Sequence, residues 1–136
     1  MTLKIYRYLS LGMSIIFGLV GILFLTVSDG VVNIFNRLSE VIGMAQTAPG
    51  GGHFYVILSV AYMYAVALIA FLMYRNPKDA AFPFLLFNAK IASSLVSILL
   101  FVADRWILIY ITNGIVDGLI AMLVIAMYRN SKKGFV

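Results

Sequence analysis

The chain has 136 residues, of which 63% are hydrophobic and only 11% are charged. Its mean hydropathy of +1.04 excludes an ordinary soluble domain and indicates an integral membrane protein. The sequence contains no cysteine, which excludes disulfides, thiolate metal sites and iron–sulfur clusters. The net charge of +5 does not predict a nucleic-acid partner, because basic residues in a membrane protein mark the cytoplasmic side.

Four apolar runs are each long enough to cross a bilayer core of about 30 Å as an α-helix. They cover residues 8–27, 54–74, 80–103 and 106–128. The first run is too long for the apolar part of a signal peptide, so we expect it to remain as a span. The last two connections are short and predict antiparallel neighbours, with spans three and four in a tight hairpin. We therefore predict an all-α, four-helix transmembrane bundle that forms a single membrane domain over residues 1–136.

The stretch after the first span has the pattern of a short amphipathic helix over residues 29–45. Ser28 and Asp29 are suitable N-cap residues. The apolar positions recur at helical spacing, at Val31, Ile34, Phe35, Leu38, Val41 and Ile42. We expect this helix to lie in the membrane interface. Pro49 and the glycines at 50–52 then predict a flexible loop.

The basic residues are distributed unevenly between the two ends of the predicted bundle. One end, with both termini and the second connection, carries Lys4, Arg7, Arg75, Lys78, Arg129, Lys132 and Lys133. The other end has only Arg37 and Arg105. This bias predicts that both termini are cytoplasmic. The layout of four spans with an amphipathic insertion is similar in hydropathy to small bacterial membrane families, including DoxX-like proteins, and we expect a bacterial inner membrane location.

Two charged residues lie in the middle of apolar runs. Lys90 is in the third predicted span and Asp117 in the fourth. Each alone costs about 3 kcal/mol at the centre of a membrane helix. Counting residues from the predicted hairpin turn places them about 21 and about 18 Å deep, nearly level on neighbouring helices.

Further polar residues lie near these two charges in the sequence. Ser93, Ser94 and Ser97 continue a stripe from Lys90, and Asn113 lies one helical turn before Asp117. Gly114 and Gly118 have the spacing that lets helix backbones approach closely. The remaining candidates near this depth are Asn88, Tyr62 and Tyr64. Two interpretations are open: an ion pair that fixes helix packing, or a site for a proton, an ion or a ligand.

The rest of the sequence offers little further chemistry. His53 is the only histidine and lies at the predicted edge of the second span. Three roles are open for it: a residue at the membrane boundary, a metal ligand shared with another chain, and a hydrogen-bond donor to a quinone. Haem would need a second strong axial ligand, and hydrolysis would need a nucleophile with a base or paired carboxylates. We therefore predict no enzyme, no metal and no cofactor.

The sequence supports two main functional hypotheses. The first is a non-enzymatic accessory or structural subunit of a larger membrane complex, in contact with the lipid bilayer and with other subunits or itself. The second is a small oligomeric transporter or proton-coupled carrier that uses the Lys90–Asp117 pair. An enzyme acting on lipids or quinones is a third hypothesis, for which no residues can be named.

Overall fold

The computed structural model describes residues 1–46, 53–103 and 106–133. Within them the chain forms four α-helices, each long and apolar enough to cross a membrane. They are α1 (Leu3–Val41), α2 (His53–Arg75), α3 (Ala81–Ala103) and α4 (Leu108–Lys133). The predicted set of four apolar helices is therefore confirmed. Residues 47–52, 104 and 105 lie outside the described residues, and with them the predicted glycine loop and most of the third connection.

The four helices are arranged as two antiparallel hairpins. α1 packs mainly on α2 and α3 mainly on α4, while smaller α2–α3 and α1–α4 contacts join the two hairpins into a ring. We call the end where α2 connects to α3 the α2–α3 end, and the opposite end the α3–α4 end. At the α2–α3 end the Ser131 hydroxyl donates to the carbonyl oxygen of Pro77 (3.0 Å), and the Met1 nitrogen donates to Asn130 Oδ1 (3.2 Å).

The closely packed core lies in the half of the bundle nearer the α2–α3 end. All four helices contribute to it, and its largest fully buried members include Tyr6, Met73, Leu86 and Met127. The buried cluster consists of Tyr6, Met13, Phe17, Val66, Ala70, Met73, Leu86, Val124 and Met127.

The predicted short amphipathic helix is not a separate element. Residues 28–41 continue α1, and the change of direction is a kink at Val27, whose φ of −137° and ψ of 32° are not helical. The Thr26 hydroxyl donates to the carbonyl oxygen of Ile22 (2.9 Å), a contact that bends helices. A Cβ at Gly30 would meet Val27 Cγ1 at 2.6 Å, so a larger residue there would force the Val27 side chain to shift. The helical segment after the kink starts beside Ser28 and Asp29, but it is joined to the rest of α1 without a connecting loop.

α1 ends in a Schellman motif. Gly43 has a φ of +70°, the Met44 N–H donates to the Ser39 carbonyl oxygen (2.8 Å), and the Gly43 N–H donates to that of Glu40 (3.3 Å). The chain then forms a single β-bridge between Ala45 and Ile107, just before α4. The segment after α1 is thereby held at the α3–α4 end.

Candidate functional site

Lys90 of α3 and Asp117 of α4 meet inside the bundle. Lys90 Nζ donates to Asp117 Oδ1 at 2.9 Å, and the two side chains are only 1% and 5% exposed. Apolar residues of the core lie on the side toward the α2–α3 end. The two formal charges therefore offset each other in a place with little access to solvent.

The Lys90 ammonium is also covered by two aromatic rings. Its nitrogen lies 4.6 Å from the ring centroid of Phe17 on α1 and 5.2 Å from that of Tyr62 on α2. Both distances suit a cation–π interaction, which is strongest where the cation is desolvated. With Asp117 from α4, the lysine of α3 is contacted by all three other helices.

Tyr62 is held in place by its own hydroxyl. It donates to the carbonyl oxygen of Ala89, one residue before Lys90, at 3.1 Å. This bond joins α2 to α3 between the two hairpins, where helix contacts are fewer. Phe17 was not among the predicted site residues, because a phenylalanine in an apolar helix carries no chemical signal in the sequence.

Small residues bring α3 and α4 together beside the pair. The Ser94 hydroxyl donates to the carbonyl oxygen of Gly114 at 2.6 Å. A Cβ at Gly114 would meet Ile98 Cγ1 at 2.8 Å, and a Cβ at Gly118 would meet Ser94 Oγ at 3.1 Å. The absence of a side chain at these two positions thus permits the close approach that the glycine spacing predicted.

A second polar group, which we call the polar triad, consists of Asn113, Ser93 and Ser97. Asn113 Nδ2 donates to Ser97 Oγ at 2.7 Å and to Ser93 Oγ at 3.3 Å. The triad lies on the same helix stripes as the ion pair, one turn nearer the α3–α4 end. Unlike the pair it is accessible, since Asn113 is exposed and both serines are partly exposed.

Two predicted residues do not reach the site. Asn88 is exposed and its side-chain nitrogen donates to the carbonyl oxygen of Phe84 on its own helix (2.8 Å). Tyr64 is 69% exposed on the outside of α2. The side chain of His53, the first residue of α2, lies outside the described part of the structure, so its role stays open.

The arrangement has the chemistry of a desolvated acid–base pair beside a neutral hydrogen-bonding group. Transfer of one proton from Lys90 to Asp117 would remove both charges at once, without a change in net charge. In the described residues, His, Asp and Glu form no group of three that could hold a metal ion. The predictions of no metal and no cofactor stay predictions.

No protein-family model, curated protein sequence or solved structure shows a significant similarity to this chain.

Proposed function

We propose that the protein is a non-enzymatic structural subunit of a larger membrane complex, in which the Lys90–Asp117 pair fixes how the two helical hairpins pack. The observation that carries this proposal is the Lys90 ammonium, which is contacted from α1, α2 and α4. A buried charge keeps contacts with three helices only when those helices hold one arrangement around it. Buried polar groups have such a role in other helical assemblies, where they select one register at some cost in stability.

The outer surface of the bundle supports contact with other membrane helices. Gly12 and Gly18 of α1 have nothing within 4 Å of the place of a Cβ, so the bundle itself does not use these gaps. Ala61 and Ala65 of α2 are also exposed. Small residues on a membrane helix let another helix approach closely, so α1 and α2 suit a partner subunit or a second copy.

We place the protein in a bacterial inner membrane with the α2–α3 end in the cytoplasm. The excess of Lys and Arg at that end supports this orientation. At 39 residues α1 is about 58 Å long, far more than the bilayer core of about 30 Å. The kink at Val27 is where α1 would leave the core, with residues 28–41 at the opposite interface. The proposed partners are lipid and membrane proteins, and do not include nucleic acid.

Purification in a mild detergent tests the subunit proposal. We expect the wild-type chain to co-purify with other membrane proteins in a fixed stoichiometry. Gly12→Leu or Gly18→Leu should fold normally, because each side chain enters open space, yet at least one should lose the partners. Ile15→Phe, which adds bulk to a side chain that is already exposed, is the control and should keep them. A wild-type chain that purifies alone would contradict the proposal.

A second candidate function is a small proton-coupled carrier that uses the Lys90–Asp117 pair. The observation that favours it is the accessible polar triad, which lies directly beyond the buried pair. Protonation of Asp117 would release Lys90, and the triad would line the way to one side of the membrane. A carrier of this kind requires water at Asn113, and thiol labelling, described below, tests for it.

A further inference from the structure

A shallow, open surface cavity of about 420 Å³ lies on the outer face of α4 near the α2–α3 end. It is lined by Met122, Ile125, Ala126, Arg129, Asn130 and Lys133. We propose that this cavity binds an anionic phospholipid of the bilayer, with the phosphate between Arg129 and Lys133 and one acyl chain along Met122 and Ile125. The proposal does not depend on whether the protein is a subunit or a carrier.

The order of residues along α4 matches the two parts of such a lipid. Met122, Ala126, Arg129 and Lys133 share one helix face, because they follow one another at intervals of three or four residues. The apolar residues come first, toward the middle of the span, and the cations come last, where the helix leaves the apolar region. From Met122 to Lys133 the helix rises about 16 Å, enough for a headgroup and the upper part of an acyl chain.

The charge of the cavity favours an anion. Its lining contains the guanidinium of Arg129 and the ammonium of Lys133, both exposed, and no carboxylate among the described residues. Lys132 is directed elsewhere, with its nitrogen 5.2 Å from the ring centroid of Tyr128. Basic sites at the ends of membrane helices attract anionic headgroups, and the field of neighbouring cations adds to the attraction.

A second cavity at the same end provides a matched comparison. It has about 400 Å³ and is lined by Leu3, Arg7, Asn76, Pro77, Lys78 and Asp79. It also has two cations, but the carboxylate of Asp79 lies beside them and accepts a hydrogen bond from the Ala81 N–H (2.9 Å). Its lining comes mainly from the α2–α3 connection and lacks an apolar stripe. The number of cations therefore does not distinguish the two cavities, whereas the absence of a carboxylate and the apolar residues Met122 and Ile125 distinguish the first.

Native mass spectrometry of the purified chain with dioleoyl phosphatidylglycerol and dioleoyl phosphatidylcholine tests the site. We expect the wild type to bind the anionic lipid more tightly. Each cation near a membrane surface is worth about fivefold in affinity, so Arg129→Gln/Lys133→Gln should weaken phosphatidylglycerol binding about 25-fold. Arg7→Gln/Lys78→Gln removes the same charge and should weaken it less than about fivefold. Equal losses in the two double variants, or no preference in the wild type, would overturn the proposal.

The same measurement separates a bilayer lipid from a free phosphate compound. Glycerophosphoglycerol has the headgroup without acyl chains, and inorganic phosphate has the anion alone. We expect neither to compete with phosphatidylglycerol at equal concentration, because neither fills the apolar part of the cavity. Competition by either one would show a soluble phosphate site in place of a lipid site. All four replaced side chains are exposed, so thermal melting should show that both double variants remain folded.

Discussion

At the scale of single residues, the contact between Lys90 and Asp117 leads to an asymmetric prediction. Lys90→Met or Asp117→Asn leaves one buried charge without its counterion and should destabilise the protein by about 3–5 kcal/mol. The double variant removes both charges and should recover most of that loss, because no unpaired charge then remains buried. Unfolding by denaturant in detergent, arranged as a double-mutant cycle, measures the effect.

Lys4→Met is the control for this cycle. Lys4 is exposed near the start of α1, so the same substitution there should change stability by less than about 0.5 kcal/mol. Two single variants at the pair that behave like this control would show that the contact is not important for folding. A double variant as unstable as the worse single variant would show that loss of the counterion is not the cause of the instability.

At the scale of helices, the close approach of α3 and α4 predicts a difference between two glycines. Gly114→Ala places a methyl group 2.8 Å from Ile98 Cγ1, so the Ile98 side chain or the two helices must shift, at a cost of about 1–3 kcal/mol. Gly12→Ala meets nothing and should stabilise α1 by about 0.5–1 kcal/mol, because alanine favours the helix. Melting temperatures of the two variants check the sign. Equal effects would contradict the close helix contact at Gly114.

The helix faces also explain which site residues the sequence could and could not identify. Tyr62 and Tyr64 were both predicted at the site because they lie at a similar depth in the membrane. Residues two apart differ by about 200° around a helix, so only one of them can face the bundle. The same geometry separates Asn88 from Lys90. Phe17 contacts the ammonium from α1, and its position depends on how the two hairpins pack, which one sequence does not reveal.

The helices themselves were easier to predict than their ends. Hydropathy located all four apolar helices, because the bilayer core fixes the length of a span. It did not reveal that residues 28–41 continue α1. The helix bends directly before the predicted start at residues 28 and 29, without a connecting loop. At the bend the Thr26 hydroxyl donates to the Ile22 carbonyl oxygen and Val27 lies close to Gly30. These contacts join individual residues at the kink. The spacing of apolar residues is the same in a kinked helix as in two separate helices, so the sequence pattern does not distinguish them.

At the scale of the whole molecule, polar groups continue along the bundle from the Lys90–Asp117 pair toward the α3–α4 end. The buried cluster fills the half nearer the α2–α3 end, and the Lys90–Asp117 pair lies at its limit. Beyond the pair, Asn113 is exposed although its partners Ser93 and Ser97 lie on the stripe that includes Lys90. An asparagine with spare hydrogen-bonding capacity is costly against hydrocarbon, so we expect water rather than lipid at Asn113.

Thiol labelling measures whether water reaches Asn113. The sequence has no native cysteine, so a single-cysteine variant reports on one position only. Reaction with a charged, membrane-impermeant thiol reagent needs water, because only the hydrated thiolate is a good nucleophile. We expect Asn113→Cys in vesicles to react faster than two controls on α4. The first control is Leu119→Cys, at a position where the native side chain is 57% exposed but would face lipid. The second is Ala121→Cys, at a position where the native side chain is only 1% exposed. If Asn113→Cys reacts as slowly as both controls, water does not reach the polar triad. A carrier that uses this route to the Lys90–Asp117 pair is then excluded.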